Sequence, residues 1–255
     1  MGIYHWPVMP ICDAQKLDVD PDDLLFMGVY RKCHTYKAGG GYDQFPEIWK
    51  RRFGSAPENI GDQFVVQLKG CPLHCPYCYV TEDGIYGQHI NIPTYDLVRS
   101  FDLSKCGVFH LMGGAPALYL EHWPELLTLL EGRPFHSDFL LCEKPYDDYT
   151  LKEIAKFPNQ LHAVSIKGED VQAYKRNTGT DVDPRLILEN LTKLVDYNIP
   201  FYITFTGMAT EEIESFKEAM SYPFYTTDIF RDSFAIDVVD YKALHYKEKE
   251  EEAPL

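Results

Sequence analysis

The chain has 255 residues, 45% hydrophobic and 14% aromatic, which is enough to bury a full core and too apolar for a disordered protein. Lys and Arg number 24 against 39 Asp and Glu, and the resulting net charge of −15 repels phosphate backbones and disfavours general nucleic-acid binding. No apolar stretch is long enough to span a membrane, and the segment from Met1 to Pro7 lacks the basic and apolar regions of a signal peptide. Seven cysteines without a leader fit a reducing cytoplasm better than disulfide pairing.

In chain order, residues 1–60 read as an N-terminal extension. A strand is expected at 24–30, a glycine hinge at Gly39, Gly40 and Gly41, and a short amphipathic helix at 45–53. The extension is expected to cover the open side of the main unit or to bind a partner. Cys12 and the Cys33-His34 pair read as ordinary thiols, with a second metal site as the alternative that their wide spacing disfavours. Residues 61–245 alternate strand and helix. Strands are expected at 64–69, 108–112, 139–143, 162–167, 201–206 and 234–239. Helices are expected at 94–101, 121–131, 150–157, 184–197 and 211–220. Residues 246–255 are an acidic run expected to be disordered.

Six β–α units imply a parallel sheet with helices outside, either open or curled into a partial barrel. Active sites of such folds lie at the carboxyl ends of the strands. Side chains alternate faces along a strand, so polar residues near those ends can be sorted. Gln67, Lys69, His110, Glu143, Ser165, Lys167, Tyr202, Thr204, Thr206 and Asp237 are expected to face the interior. Together they suit the polar lining of a ligand pocket.

The first strand of this unit ends in Gly70-Cys71-Pro72-Leu73-His74-Cys75-Pro76-Tyr77-Cys78. Pro76 rules out a helix, so three thiols share one tight loop. Such a set suits a soft metal centre, either zinc or an iron–sulfur cluster. A structural zinc site would need a fourth ligand, and the sequence has no second CxxC and no paired histidines. A [4Fe–4S] cube on three cysteines keeps one iron open, which is a catalytic arrangement.

Cys71-x3-Cys75-x2-Cys78, with Tyr77 before its last cysteine, resembles the signature of the radical S-adenosylmethionine (SAM) superfamily. Gly113-Gly114-Ala115-Pro116 closes the next strand where that family usually shows Gly-Gly-Glu-Pro. Ser165-Ile166-Lys167-Gly168, with Arg176-Asn177-Thr178-Gly179, resembles the small activating-enzyme branch typified by pyruvate formate-lyase activating enzyme. The resemblance implies an α/β fold, a (β/α)6 partial TIM barrel with an N-terminal extension. It implies a [4Fe–4S] cluster on Cys71, Cys75 and Cys78, with SAM on the open iron.

Tyr77 matches the position beside the adenine, and Gly113 and Gly114 match the pair that admits the methionyl amino group. Lys167 is expected near the SAM carboxylate or ribose, with Ser165 and Thr204 completing the cofactor-binding set. Ala115 departs from the family, whose glutamate holds that amino group. Glu143 is the expected substitute, and a glutamate returned at position 115 is expected to find its usual place. Glu143 and Lys167 are the candidate catalytic residues.

The implied reaction is reductive cleavage of SAM to a 5′-deoxyadenosyl radical, which abstracts hydrogen from a substrate. A protein or peptide substrate is expected, with a small metabolite or nucleotide as the alternative, and an electron donor of flavodoxin or ferredoxin type. The competing reading is a non-catalytic module whose thiols hold zinc or a cluster for structure; the altered Gly-Gly-Ala supports it and the polar pocket opposes it.

Overall fold

The computed structural model describes residues 4–10, 24–26, 28–33, 45–78, 80, 82–224 and 228–236. Cys12, His34, the Gly39–Gly41 hinge, Asp237 and the acidic tail fall outside them. Three short strands, β1 (His5–Val8), β2 (Leu24–Phe26) and β3 (Val29–Cys33), precede helix α1 (Phe45–Phe53). The chain continues through β4 (Asp62–Leu68), α2 (Glu82–Tyr86), β5 (Ile90–Pro93), α3 (Thr94–Ser104) and β6 (Val108–Gly113). Next come α4 (Trp123–Leu130), β7 (Phe135–Phe139), α5 (Asp148–Ile154), β8 (Gln160–Ile166), α6 (Val171–Thr178) and α7 (Pro184–Asp196). The described order closes with β9 (Phe201–Thr206), α8 (Thr210–Phe224) and β10 (Phe234–Ile236).

Strands β4, β6, β7, β8, β9 and β10 lie side by side in that order, every neighbouring pair parallel. This is the expected six-stranded parallel array, and its sheet does not close on itself. β10 ends the row on one side. On the other, β4 takes antiparallel partners from the N-terminal segment: β3 along most of its length and β1 at Leu68. The segment before residue 60 therefore lengthens the sheet. It also fills the barrel, because Phe45, Ile48 and Trp49 of α1 pack on Val108, Leu161, Ala163 and Tyr202 near the amino ends of β6, β8 and β9.

Alternation along the strands sorts the two faces. Phe64, Val66, Phe109, Leu111, Val164, Ile203 and Phe205 are buried under the helices, which supply the main core. The helices start where side-chain oxygens meet open backbone donors: Asp147 accepts from Thr150 N–H, Asp170 from Ala173 N–H and Asp183 from Arg185 N–H. Among the described residues no helix is long and apolar enough to cross a membrane.

One strand departs from expectation. The third barrel strand is Phe135–Phe139, four residues before the expected 139–143. The apolar run Phe139-Leu140-Leu141 imitates a strand, but Leu141 takes φ +64° and turns the chain into a loop. Within β7, Phe135 and Phe139 face out to the Trp123 ring, with centroids 5.1 and 5.2 Å away. His136 and Asp138 consequently face in.

Helix α1 is latched to the segment before β10. Arg51 Nε and Arg52 Nε of α1 donate to the two carboxylate oxygens of Asp232 at 3.0 and 2.9 Å, and Asp232 is only 4% exposed. The pair of charge-assisted bonds holds the interior-filling helix against the approach to β10.

His162, outward on β8, sits in a cage of Trp123, Phe135 and Phe139. Burial lowers its pKa from 6.5 to about 3. Below pH 6.5 the unfolded chain takes up a proton that the folded chain refuses. This contribution to stability is therefore complete above pH 6.5 and lost as the pH falls toward 3, by up to about 1.4 kcal/mol per pH unit. His162→Phe is expected to flatten the pH dependence of the urea midpoint across that window. An unchanged slope would mean that the cage admits the proton.

Candidate active site

The three cysteines lie on the loop that leaves the carboxyl end of β4. Backbone hydrogen bonds fix where that loop begins. Gly114 N–H donates to Leu68 O at 2.9 Å, Ala115 N–H to Gly70 O at 2.7 Å, and Gly70 N–H to Ile85 O at 2.9 Å. Side chains reinforce it: Tyr119 Oη donates to Lys69 O at 2.8 Å and Tyr86 Oη to Cys71 O at 2.7 Å. Further on, His74 N–H donates to Thr178 O at 3.0 Å, tying the loop to the end of α6. Asn177 Nδ2 bridges Lys167 O and Gly207 O, which joins the carboxyl ends of β8 and β9.

The glycine pair has a structural reason to be glycine. A Cβ on Gly114 would stand 2.0 Å from Gly70 O and 2.8 Å from Leu68 O, so only a bare backbone lets β6 press on the cysteine loop. A Cβ on Gly113, where φ is +98°, would come within 2.6 Å of Met9 Cε. Ala115 is 0% exposed and belongs to the apolar core. The expectation that a glutamate could return there is corrected by this burial, since its carboxylate would enter hydrocarbon unpaired.

Cys71 and Cys75 are half-buried and Cys78 is exposed, all three as free thiols. Burial pushes the Cys71 thiol up to about 12, with Cys75, Cys78 and Glu143 adding to the effect. Burial also raises Cys75, while Lys167 opposes it. Burial thus disfavours the thiolate form of Cys71 and Cys75 in the absence of a cation. The Tyr77 hydroxyl lies beside Cys75, and Lys167 Nζ stands 5.5 Å from the Tyr77 ring centroid. Lys167 is half-buried, and its backbone N–H donates to Tyr174 Oη at 3.3 Å.

Glu143 lies in the loop beyond β7 rather than on a strand. Its Oε1 accepts from Leu140 N–H and its Oε2 from Tyr146 Oη, both at 2.8 Å. Burial raises its pKa against those two bonds. Cys142, its neighbour and a cysteine outside the expected ligand set, is close enough to Cys71 and Lys167 to feel their charge. No spacing signal singles it out.

Among the other expected inward residues, Ser165 Oγ and Thr206 Oγ1 meet at 3.2 Å, and Thr204 Oγ1 donates to Val164 O at 3.4 Å. His110 Nδ1 lies 2.6 Å from Gln63 Oε1, and Tyr202 Oη 3.1 Å from His136 Nε2. Lys69 does not point inward: it lies past the strand end, and its Nζ meets His89 Nδ1 at 3.0 Å on the exposed side. Gln67 does, and it is 0% exposed with both carboxamide atoms unpaired among the described residues.

The sequence model of the Radical SAM superfamily matches residues 65–222, from within β4 to the last turn of α8. The chain belongs to the radical SAM superfamily. It is accordingly an enzyme of that superfamily, whose members bind SAM and a [4Fe–4S] cluster. No curated protein matches the chain.

Solved structures of similar fold include histidine-tagged anSMEcpe with bound AdoMet, at TM-score 0.51 and 18% identity over 67% of this chain and 48% of that one. Streptococcus suis SuiB bound to its precursor peptide SuiA gives TM-score 0.53 and 14% identity over 73% of this chain and 46% of that one. The radical SAM chain thus spans about half the length of these structures, and at such identities the likeness is one of fold.

The residues present fit both groups. Three free thiols supply soft donors for three irons and leave a fourth without a protein ligand. A metal bound there would displace the thiol protons, as coordination requires the thiolate. The unpaired Gln67 carboxamide gives the interior a buried polar group that a bound molecule can satisfy.

Gly114→Ala is expected to destabilise the protein by about 1–3 kcal/mol, the ordinary cost of overpacking, and to lower the iron bound after anaerobic reconstitution. Ala115→Glu is expected to destabilise at least as much without gaining SAM affinity. Urea unfolding with iron assay checks both. Full iron and parental stability in Gly114→Ala would show that the clasp does not hold the loop.

Proposed function

We propose that this radical SAM enzyme abstracts hydrogen from a protein or peptide substrate, using Cys71, Cys75 and Cys78 to hold its cluster. The observation that carries the reading is the loop itself: three unbridged thiols at the carboxyl end of β4, above a polar barrel interior. When bound, the reduced cluster supplies the electron that cleaves SAM to methionine and a 5′-deoxyadenosyl radical. Residues 61–245 would form the catalytic barrel, with 1–60 built onto it.

The chain's own residues have separable tasks in this reading. Tyr77 presents a ring beside the thiols, and Lys167 holds a positive charge over that ring, where a carboxylate would be attracted. Ser165 and Thr204 line the mouth, and Gly113 and Gly114 keep the β6 end flush with the loop. Glu143 stiffens the neighbouring loop with both oxygens, whose second lone pairs could accept from an ammonium group. Gln67 offers an amide to whatever fills the space below.

A polymer substrate is supported by the rim. His74 and Cys78 are exposed there, and the Tyr86 ring, 42% exposed, lies 6.0 Å from that of His74. Aromatic groups at an open rim suit an extended chain better than an enclosed metabolite. SuiB, of similar fold, was solved with a precursor peptide. Superfamily enzymes need a reductant, and a small flavodoxin- or ferredoxin-type donor would serve. The free thiols fit a cytoplasmic protein.

Reconstituted protein is expected to hold about four irons, and replacing Cys71, Cys75 or Cys78 with Ala to abolish them, whereas Cys142→Ala should not. With dithionite and SAM, 5′-deoxyadenosine is expected by chromatography, faster when a substrate peptide is present. Stoichiometric zinc without iron would return the non-catalytic reading. Lys167→Met and Glu143→Gln are each expected to weaken SAM binding about tenfold with cluster content intact, as loss of one charged hydrogen bond would. Parental affinity in calorimetric titration would remove that residue from the binding set.

A further inference from the structure

Below the cysteine loop, the inward faces of β6 and β7 carry a second group of metal-binding side chains. His110 and His136 are register partners on neighbouring parallel strands, and Asp138 follows His136 by two residues on the same face. One nitrogen from each imidazole and one Asp138 oxygen all lie within 4.8 Å of one another. Both histidines are buried, at 3% and 5% exposure, and Asp138 is half-buried. Among the described residues this is the one such convergence of three ligand-type side chains.

The surroundings orient both rings. Gln63 Oε1 lies 2.6 Å from His110 Nδ1, and Tyr202 Oη lies 3.1 Å from His136 Nε2. Each contact engages one nitrogen of its ring. Metal-ligating histidines are typically fixed this way, through a hydrogen bond on the second nitrogen. The Phe45 ring of α1 packs tilted against His136 at 4.3 Å, and the two imidazoles lie 4.2 Å apart, so neighbouring rings confine both histidines.

We propose that His110, His136 and Asp138 form a binding site for a first-row divalent cation, separate from the cluster. Two imidazoles and a carboxylate suit zinc or ferrous iron. Ligand distances of about 2.0–2.2 Å require the donor atoms to draw together from their present spacing. Three protein ligands leave positions open toward the barrel interior. The chemical class of ligand for those positions is an oxygen or nitrogen of the molecule that occupies the barrel, which the cation would anchor while the cysteine loop sits above. The three ligands come from β6 and β7, and the proposal does not need the cysteine-loop reading to hold.

The test uses the cluster-replete protein, so that the cysteines are already engaged. Equilibrium dialysis against zinc, with metals counted by mass spectrometry, is expected to give about one zinc per chain in addition to the iron. X-ray absorption at the zinc edge of the parent protein is expected to show nitrogen and oxygen neighbours and no sulfur. Asp138→Asn, which keeps the size of the side chain, is expected to weaken zinc binding at least tenfold while iron content stays at the parental level, and His136→Gln likewise. Iron content and 5′-deoxyadenosine formation are read on the same samples, so a failed cluster is told apart from a failed zinc site. No bound zinc in the parent, sulfur at the zinc edge, or parental zinc affinity in Asp138→Asn would each overturn the proposal.

Discussion

The cysteine loop hangs from two backbone hydrogen bonds, Gly114 N–H to Leu68 O and Ala115 N–H to Gly70 O. They join the carboxyl ends of β4 and β6 at a separation that leaves no room for a side chain. A Cβ at Gly114 would overlap Gly70 O, and the residue after the clasp is sealed in the core. The glycine pair is thus a packing solution that sets the height of the thiols above the barrel. It also explains why position 115 is alanine here: the site faces hydrocarbon, where a carboxylate would be stranded.

The outer shell and the interior obey opposite rules. Outside the strands, aromatic and aliphatic side chains interlock, and even a histidine there, His162, is held neutral by its ring cage. Inside, Gln63, Gln67, His110, His136, Ser165 and Thr206 replace hydrocarbon with donors and acceptors. Buried polar groups of this kind cost stability unless they find partners. Several do so laterally, as His110 does with Gln63 and Ser165 with Thr206, whereas Gln67 finds none among the described residues. The interior gives up burial energy to keep a polar surface available, and α1 limits that cost by closing the foot with Phe45 and Trp49.

Much of this was legible in the residues. Five of the six barrel strands and the helix at 45–53 follow from apolar periodicity, and Cys71, Cys75 and Cys78 announce themselves by spacing. The third strand did not, for a physical reason. Phe-His-Ser-Asp-Phe reads as polar because its inward side chains belong to the interior, while the following Leu-Leu reads as strand because it packs under helices as a loop. That displacement of four residues put Glu143 on a strand where it does not lie, and hid His136 and Asp138. The pairing of β1 and β3 onto β4 was also out of reach, since antiparallel additions between distant segments leave no local pattern. Lys69 shows the limit of alternation: beyond the strand end the rule no longer applies, and the side chain leaves the interior for His89.

The clamp of Arg51 and Arg52 on Asp232 bears on how the protein is made. Its partners are separated by 181 and 180 residues, among the longest loops the molecule closes. During synthesis the amino-terminal helix leaves the ribosome long before the aspartate that will hold it exists. Phe45, Ile48 and Trp49 gain their packing partners Val108, Leu161, Ala163 and Tyr202 earlier, and until Tyr202 is made part of their apolar surface is open to other contacts. The latch itself can form only once Asp232 has been made, after every barrel strand except β10. A chain interrupted before residue 232 would carry its cysteine loop and most of its strands yet lack the latch that seats the helix beneath them.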